Sequence, residues 1–308
     1  MVAGAAILAT VFIPNGHVPA PAISFTGLMS LGAADELVDH LVDYYDRVAP
    51  VYDAWASGLH ARVAARLVQF VEPEPGESAL DIGCGTGLVT ELLARGVGSA
   101  GSVIGIDLSA SMLDIARACR SAPNTTYMTM AAEHVVFRDR SFDLVTYGES
   151  LPYLIDPLAS LEEAVRLLRP GGRIGVSVHR RALHTEAQDI FYRSLESLAR
   201  RHHLNIPRHS PERGVLAEKE TIYQLLDELG FAGLRTTELV TGGRARTPRE
   251  WTDVLAGMGP LPGTLISVLG PRLRQQFEAE LCEAMASLAD DAFRYHLAFV
   301  FATGHLSV

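Results

Sequence analysis

The chain has 308 residues, 48% of them hydrophobic and 20% charged, with a formal net charge of −10. That length admits one large domain or two small ones, and the acidic balance argues against nucleic acid or an anionic membrane as partner, since both need a basic surface. Cys84, Cys119 and Cys282 form no CxxC pair, which excludes a disulfide framework and a thiolate zinc site and fits a reducing cytoplasm.

Residues 1–34 carry no Asp, Glu, Lys or Arg; the first charge is Asp35. Ala5 to Ile13 is a short apolar run, and Ala20-Pro21-Ala22 has the look of a signal-peptidase site. No Lys or Arg precedes the run, however, as an export signal requires, and the run is too short to span a bilayer. Two readings remain open. One is an extension upstream of a natural start at Met29; the other is an arm that packs on a neighbouring subunit and makes a homo-oligomer.

From residue 35 to 308 the pattern is that of one domain. Residues 35–56 are predicted helical with a break at Pro50. A second helix, 58–70, carries Leu59, Val63, Leu67 and Val68 and ends at Pro73 and Pro75. Strands and helices then alternate: strand 78–82, helix 87–95, strand 103–107, helix 110–119, strands 125–130 and 143–147, helix 158–168, and strand 173–178 after the turn Pro170-Gly171-Gly172. Such alternation, with strands apolar on both faces, indicates a parallel sheet covered by helices. Helix 219–229, a strand at 233–240, helices at 247–257 and 271–289 and a last strand from Tyr295 to Thr303 follow. Three stretches, 36–60, 180–215 and 242–293, are predicted as lids, because connections that long exceed what joining two elements needs.

The most informative run is Leu80-Asp81-Ile82-Gly83-Cys84-Gly85-Thr86-Gly87. An apolar strand enters three glycines at alternate positions, and a helix follows at once. Glycine is needed where backbone turns sharply or approaches a ligand closely, and a helix N-terminus favours anionic groups. Asp107 ends the next strand twenty positions after Gly87, a spacing suited to a carboxylate that accepts ribose hydroxyls.

These residues resemble class I S-adenosylmethionine-dependent methyltransferases. Asp81 to Gly87 is similar to their first motif, and Gly105-Ile-Asp-Leu-Ser109 with Met112 to their second. Ala131-Ala-Glu-His134 and Ser141-Phe-Asp-Leu-Val145 resemble the region around their third and fourth strands, and Leu168 to Arg173 their turn before the fifth. Tyr45 to Asp53 resembles the lead-in of the ubiquinone/menaquinone C-methyltransferase-like, small-molecule branch. The resemblance implies an α/β, Rossmann-like seven-stranded sheet with helices on both faces and helical lid insertions, and S-adenosylmethionine as cofactor.

It also implies roles. Gly83, Cys84, Gly85 and Gly87 form the turn that receives the cofactor. Asp81 lies near the methionine ammonium and Asp107 holds the ribose. Leu108 and Met112 sandwich the adenine, and Ala132 meets its edge. Glu133 or His134 adds a polar contact, compensating for Ala131 where relatives carry an acid. Tyr147 borders the sulfonium, and Tyr45 and Tyr52 close over the site. Ligands in such sheets lie at the carboxyl ends of the strands. Glu149 and His179 are therefore the candidate catalytic groups, with Tyr44, Tyr153 and His184 as candidate substrate contacts and His40 nearby.

Blander roles stand beside several of these. Cys84 is a small spacer rather than a nucleophile, since reactivity needs an electropositive environment. His202-His203 lacks a third ligand at usable spacing for a metal, and no metal is expected. Arg193, Arg200 and Arg201 face water. The reading is methyl transfer to carbon or oxygen of a small, apolar secondary metabolite in the cytoplasm, with neither nucleic acid nor membrane as partner. A cyclase on the same fold that uses the cofactor without methyl transfer, and a non-catalytic cofactor-binding subunit, are the alternatives.

Overall fold

In the computed structural model, residues 31–54, 58–180, 185–203, 216, 218–257 and 269–307 are described. The alternating segments form a single sheet in the order β3-β2-β1-β4-β5-β7-β6. Its strands are β1 (Ser78–Ile82), β2 (Ser102–Asp107), β3 (Thr125–Thr129), β4 (Phe142–Gly148), β5 (Leu168–Arg180), β6 (Phe231–Arg244) and β7 (Arg294–Leu306). The first five pair in parallel. β7 runs antiparallel to both β5 and β6, so the sheet is mixed rather than wholly parallel. Strand order reverses between β1 and β4, and a ligand crevice is expected at the carboxyl ends on either side of such a reversal.

The strands are apolar on both faces because helices cover both. On one face, α2 (Leu59–Val71) and α3 (Leu88–Val97) pack Leu59, Val63, Leu67 and Leu93 over Ala79, Val103 and Leu144. On the other, α5 (Pro157–Leu167) and α7 (Lys219–Glu228) pack Leu161, Ala164, Ile222 and Leu226 over Leu80, Val145, Tyr147 and Val176. Neighbouring strand residues fall into opposite cores, the period-two rule of a pleated strand. Burying one such Leu or Val side chain contributes about 1.5–3 kcal/mol.

Local signals set the helix starts. Ser109 caps α4 (Ala110–Arg120) by accepting from the Met112 N–H at 3.1 Å, and Asp156 caps α5 by accepting from the Ala159 N–H at 3.0 Å. Each cap satisfies an N–H that the first helical turn leaves without a partner.

Two boundaries differ from expectation. Helix α1 (Leu31–Tyr52) runs through Pro50 instead of breaking there. The proline stands in the last turn, where the helix has little left to lose, and the helix stops two residues later. β5 begins at Leu168, not 173: Phe142 pairs with Leu168 and Leu144 with Arg173, so Pro170-Gly171-Gly172 bulges out within the strand.

Three further helices among the described residues, α6 (Glu186–Arg201), α8 (Pro248–Gly257) and α9 (Gly270–Ala284), share a core of their own. Phe191, Leu195, Trp251, Leu255, Phe277 and Leu281 are buried together there. Helices α6, α8 and α9, the described helices of the segments expected as lids at 180–215 and 242–293, thus pack against each other as one helical lobe. Arg201 is exposed, as expected, and makes a surface pair with Glu280 of α9.

Candidate functional site

A cleft of about 820 Å³, its open mouth included, lies over the carboxyl ends of β1, β2 and β4. Its floor is the glycine turn. Gly83 and Gly85 have φ of +67° and +53°, the left-handed region that side chains other than glycine rarely adopt. They differ in surroundings. A Cβ on Gly83 would fall on Ser150 Cβ and within 3.0 Å of its Oγ, whereas a Cβ on Gly85 would meet nothing within 4 Å. Gly83 is thus glycine for packing as well as turning, and Gly85 leaves space open above the turn. Gly87 borders no part of the cleft; its Cα faces Ala116 and Tyr127.

The cleft has three carboxylates, Asp107, Glu133 and Glu149, among its described lining residues. Asp107 accepts from the Gly85 N–H and the Ser109 N–H, both at 2.9 Å. Burial raises its pKa, and these bonds work against that. Glu133 accepts from the Ile155 N–H at 2.9 Å and the Asp156 N–H at 3.2 Å. Glu149 pairs with a side chain instead: His60 Nδ1 lies 3.0 Å from its Oε2.

Leu108, Met112 and Ala132 line the cleft on the β2–β3 side. Tyr45, Tyr52 and Tyr153 line the opposite part, with Tyr45 edge-on to Tyr52 at 6.4 Å and to Tyr153 at 6.2 Å. Burial pushes the hydroxyls of Tyr45 and Tyr52 well above the usual tyrosine pKa, so both stay neutral and protonated.

Helix α1 roofs the cleft with Val38, Leu41 and Val42, and two acids moor it. Asp46 accepts from Ser109 Oγ at 2.6 Å and from the Ser111 N–H at 3.0 Å. Partial burial opposes its ionisation, but the bonds from Ser109 and Ser111 outweigh this and hold its pKa below the usual range. Just past the end of α1, Asp53 accepts from Thr86 Oγ1 and from Arg120, both at 2.6 Å.

A smaller cavity of about 400 Å³ adjoins the cleft and shares Tyr52, Gly83, Gly85, Gly148 and Glu149 with it. Asp81 and Cys84 border it. Asp81 is 1% exposed, and its two oxygens accept from Thr90 Oγ1 at 2.6 Å and Thr146 Oγ1 at 2.8 Å. Burial pushes its pKa up to about 6. The Cys84 thiol is likewise pushed up by burial, opposite to what a nucleophile needs.

Several expected contacts are not at the cleft. Tyr147 is fully buried on the α5 face, its hydroxyl bonded to the Ser160 carbonyl at 2.8 Å; strand parity turns it away from the ligand side. His134 is exposed and lines neither cavity. Tyr44 is buried against Tyr45 rather than facing the cleft. His179 lines neither cavity and packs on Phe299 at 5.2 Å. Its Nε2 is buried with no partner among the described residues, and burial lowers its pKa. His184 and residues 1–30 lie outside the described residues, and the His40 side chain is likewise not described.

The strand–turn–helix that builds this floor lies in a stretch, residues 80–176, that matches the family model described as "Methyltransferase domain". Over residues 80–176 the chain is similar to methyltransferase domains. The 2-phytyl-1,4-naphtoquinone methyltransferase of Nostoc sp. is 34% identical over 140 residues, 43% of this chain and 61% of that protein. The nocamycin O-methyltransferase of Saccharothrix syringae is 38% identical over 136 residues, 43% of this chain and 49% of that one. The chain thus spans about three fifths or less of these curated relatives. A phosphoethanolamine N-methyltransferase of Haemonchus contortus, solved with phosphomonomethylethanolamine and S-adenosylhomocysteine, shares the fold. Its TM-score is 0.52 at 19% identity, covering 91% of this chain and 61% of that one.

The cleft of the methyltransferase domain fits the cofactor that its motifs imply. Gly85 leaves room for a ligand against backbone, Asp107 presents a carboxylate there, and Leu108 and Met112 supply apolar walls. Among the described residues no cluster of three metal-ligating side chains occurs, and no helix is long and apolar enough to cross a membrane.

Reading the motifs alone missed three residues that shape the domain's cleft: Asp46, Asp53 and His60. The two acids stand within the quoted tyrosine-rich run, where their polarity beside apolar neighbours was the available signal. His60 sits next to the apolar stripe of α2 and carried no signal of its own.

Proposed function

We propose that the chain is an S-adenosylmethionine-dependent methyltransferase acting on carbon or oxygen of a small, apolar secondary metabolite, in the cytoplasm. The observation that carries this reading is the convergence on one cleft of the open glycine turn at Gly85, the Asp107 carboxylate and an aromatic wall. The relatives described above are methyltransferases, which supports methyl transfer over cyclisation. S-adenosylmethionine supplies, when bound, a methyl group already activated on a sulfonium.

The chain's own residues then bind, align and exclude water, which is the larger part of catalysis for an activated donor. Asp107 takes the ribose hydroxyls, and Leu108 and Met112 flank the adenine. Ala132 meets its edge, while Glu133 braces the loop that closes that end. Tyr45, Tyr52 and Tyr153 wall the sulfonium end, where aromatic faces favour positive charge. The α1 roof, with Val38, Leu41 and Val42, keeps the acceptor chamber apolar.

The test is incubation of the full chain with methyl-labelled S-adenosylmethionine and a panel of quinones and polyketide phenols, beside calorimetric titration with S-adenosylhomocysteine. Label in an acceptor, with tight binding of S-adenosylhomocysteine, is expected. Tight binding of NAD in place of S-adenosylhomocysteine would refute the cofactor assignment.

A further inference from the structure

We propose that Glu149 takes the acceptor's proton and that His60 positions Glu149 for this task. The acceptor is then a protic group, such as a phenol, an enol or an activated carbon acid, rather than a tertiary amine or a thioether. The proposal rests on the methyl-transfer reading above.

Three observations carry it. First, Glu149 has a φ of +58°, a strained conformation for a residue other than glycine, and such strain concentrates at functional sites. It is held there by its own N–H, which donates to the Ser177 carbonyl at 2.9 Å. In that position it borders both the cleft and the smaller cavity.

Second, the cleft's other carboxylates are committed. Asp107 and Glu133 each accept two backbone N–H groups, which holds both side chains in place. Glu149 is paired instead with a side chain that can itself take up a proton.

Third, the pair is shielded and oriented. The side chains of His60 and Glu149 are 11% and 14% exposed. The His60 ring stacks on Tyr52 at 4.2 Å with 7° between planes, which fixes the direction of Nδ1. A carboxylate has two acceptor oxygens; His60 engages Oε2, and Oε1 is the atom for the acceptor's proton. Among the described residues, the groups facing the pair include Tyr52 from α1, Asp81 from β1, Cys84 of the turn, and Ser177 and His179 from β5. Tyr52 stays protonated, both Asp81 oxygens are taken by threonines, and His179 is held neutral by burial.

The step balances. As the acceptor's lone pair forms the new bond to the methyl carbon, the carbon–sulfur bond breaks and its electron pair stays on sulfur. The acceptor's proton passes to Glu149. A sulfonium cation and a carboxylate anion become a thioether and a carboxylic acid, and His60 holds that acid by its hydrogen bond until water takes the proton.

The test uses the full chain with S-adenosylhomocysteine as binding probe, a phenolic acceptor for turnover, and the ring nitrogen signals of ¹⁵N-histidine. Glu149→Gln is expected to bind S-adenosylhomocysteine within about threefold of wild type and to lose about 100-fold or more in kcat, the range for a lost general base. It should also shift the His60 Nδ1–H signal, because an amide oxygen is a weaker acceptor than a carboxylate. His60→Gln should lower kcat about tenfold and displace the acidic limb of the kcat–pH profile by about half a pH unit or more. Thermal unfolding checks each variant; should Glu149→Gln not fold, His60→Gln decides. Unchanged kcat in the folded variants overturns the proposal. So does a tenfold loss of S-adenosylhomocysteine binding with the kcat–pH profile unmoved, which would assign the pair to the donor's amino-acid end. A wild-type chain that binds S-adenosylhomocysteine but labels no acceptor instead defeats the methyl-transfer reading itself.

Discussion

The two glycines of the turn should fail in different ways when each becomes alanine. At Gly83 two costs add. Holding a side-chain-bearing residue at φ +67° costs about 1–2 kcal/mol, and forcing a Cβ onto Ser150, whose own Oγ is tied to the Ile82 carbonyl at 2.6 Å, costs about 1–3 kcal/mol of overpacking. The sum is about 2–5 kcal/mol, which at about 2–4 °C per kcal/mol is a fall in Tm of about 4–20 °C. At Gly85 only the conformational cost applies, because a Cβ there meets no protein atom. That Cβ occupies the space a ligand would need, so binding should fall tenfold or more, about 1.4 kcal/mol. The assay is thermal unfolding beside calorimetric titration with S-adenosylhomocysteine. Wild-type affinity in a folded Gly85→Ala variant would show that no ligand lies over the turn and would remove the main support for the assigned cofactor site.

Other predictions follow from single contacts. Asp107→Ala should weaken S-adenosylhomocysteine binding by about 10- to 100-fold in calorimetry, the loss of one or two charged hydrogen bonds at about 1.5–3 kcal/mol. Tyr147→Phe should cost about 1–3 kcal/mol in urea unfolding, because the Ser160 carbonyl loses its donor, and should leave KM for both substrates unchanged; a raised KM would return Tyr147 to the site. Asp81 should make the wild type less stable as pH rises. Its pKa is about 6 when folded against 3.8 for an ordinary aspartate, so between those values the folded chain holds the proton more tightly than the unfolded one. That difference, about 2 pH units, is about 3 kcal/mol lost between pH 4 and pH 7. Asp81→Asn should abolish this part of the slope, so urea unfolding at the two pH values should show the variant gaining on wild type.

The parallel half of the sheet was legible because β1, β2 and β4 are short apolar runs closed by glycine or an acid, and those signals are local. The cofactor side of the cleft was legible for the same reason: Gly83, Gly85 and Asp107 lie at fixed distances along one strand–turn–helix unit. What depended on strand parity was not. Val145 and Tyr147 share one face of β4 and Leu144 and Thr146 the other. Both faces are buried, so the pattern of apolar residues does not say which one meets the ligand. His60 and Glu149 stand 89 positions apart and are brought together by the packing of α2 across the sheet, and the positive φ of Glu149 has no sequence signature. The helical lobe escaped for a related reason. Its core joins α6 to helices some fifty or more residues later, and an amphipathic pattern shows that a face is covered without showing by what.

The moorings of α1 couple the roof to the floor. Asp46 grips Ser109, whose N–H binds Asp107, and Asp53 grips Thr86, the residue after Gly85. The roof is therefore fastened to the two segments that would hold the donor, not to neutral scaffold. By thermodynamic linkage, anything that steadies those segments must also hold the roof down by the same free energy, and opening the roof must loosen the grip on what lies beneath. Where release of spent donor requires α1 to lift, turnover takes the rate of that opening whenever chemistry is faster.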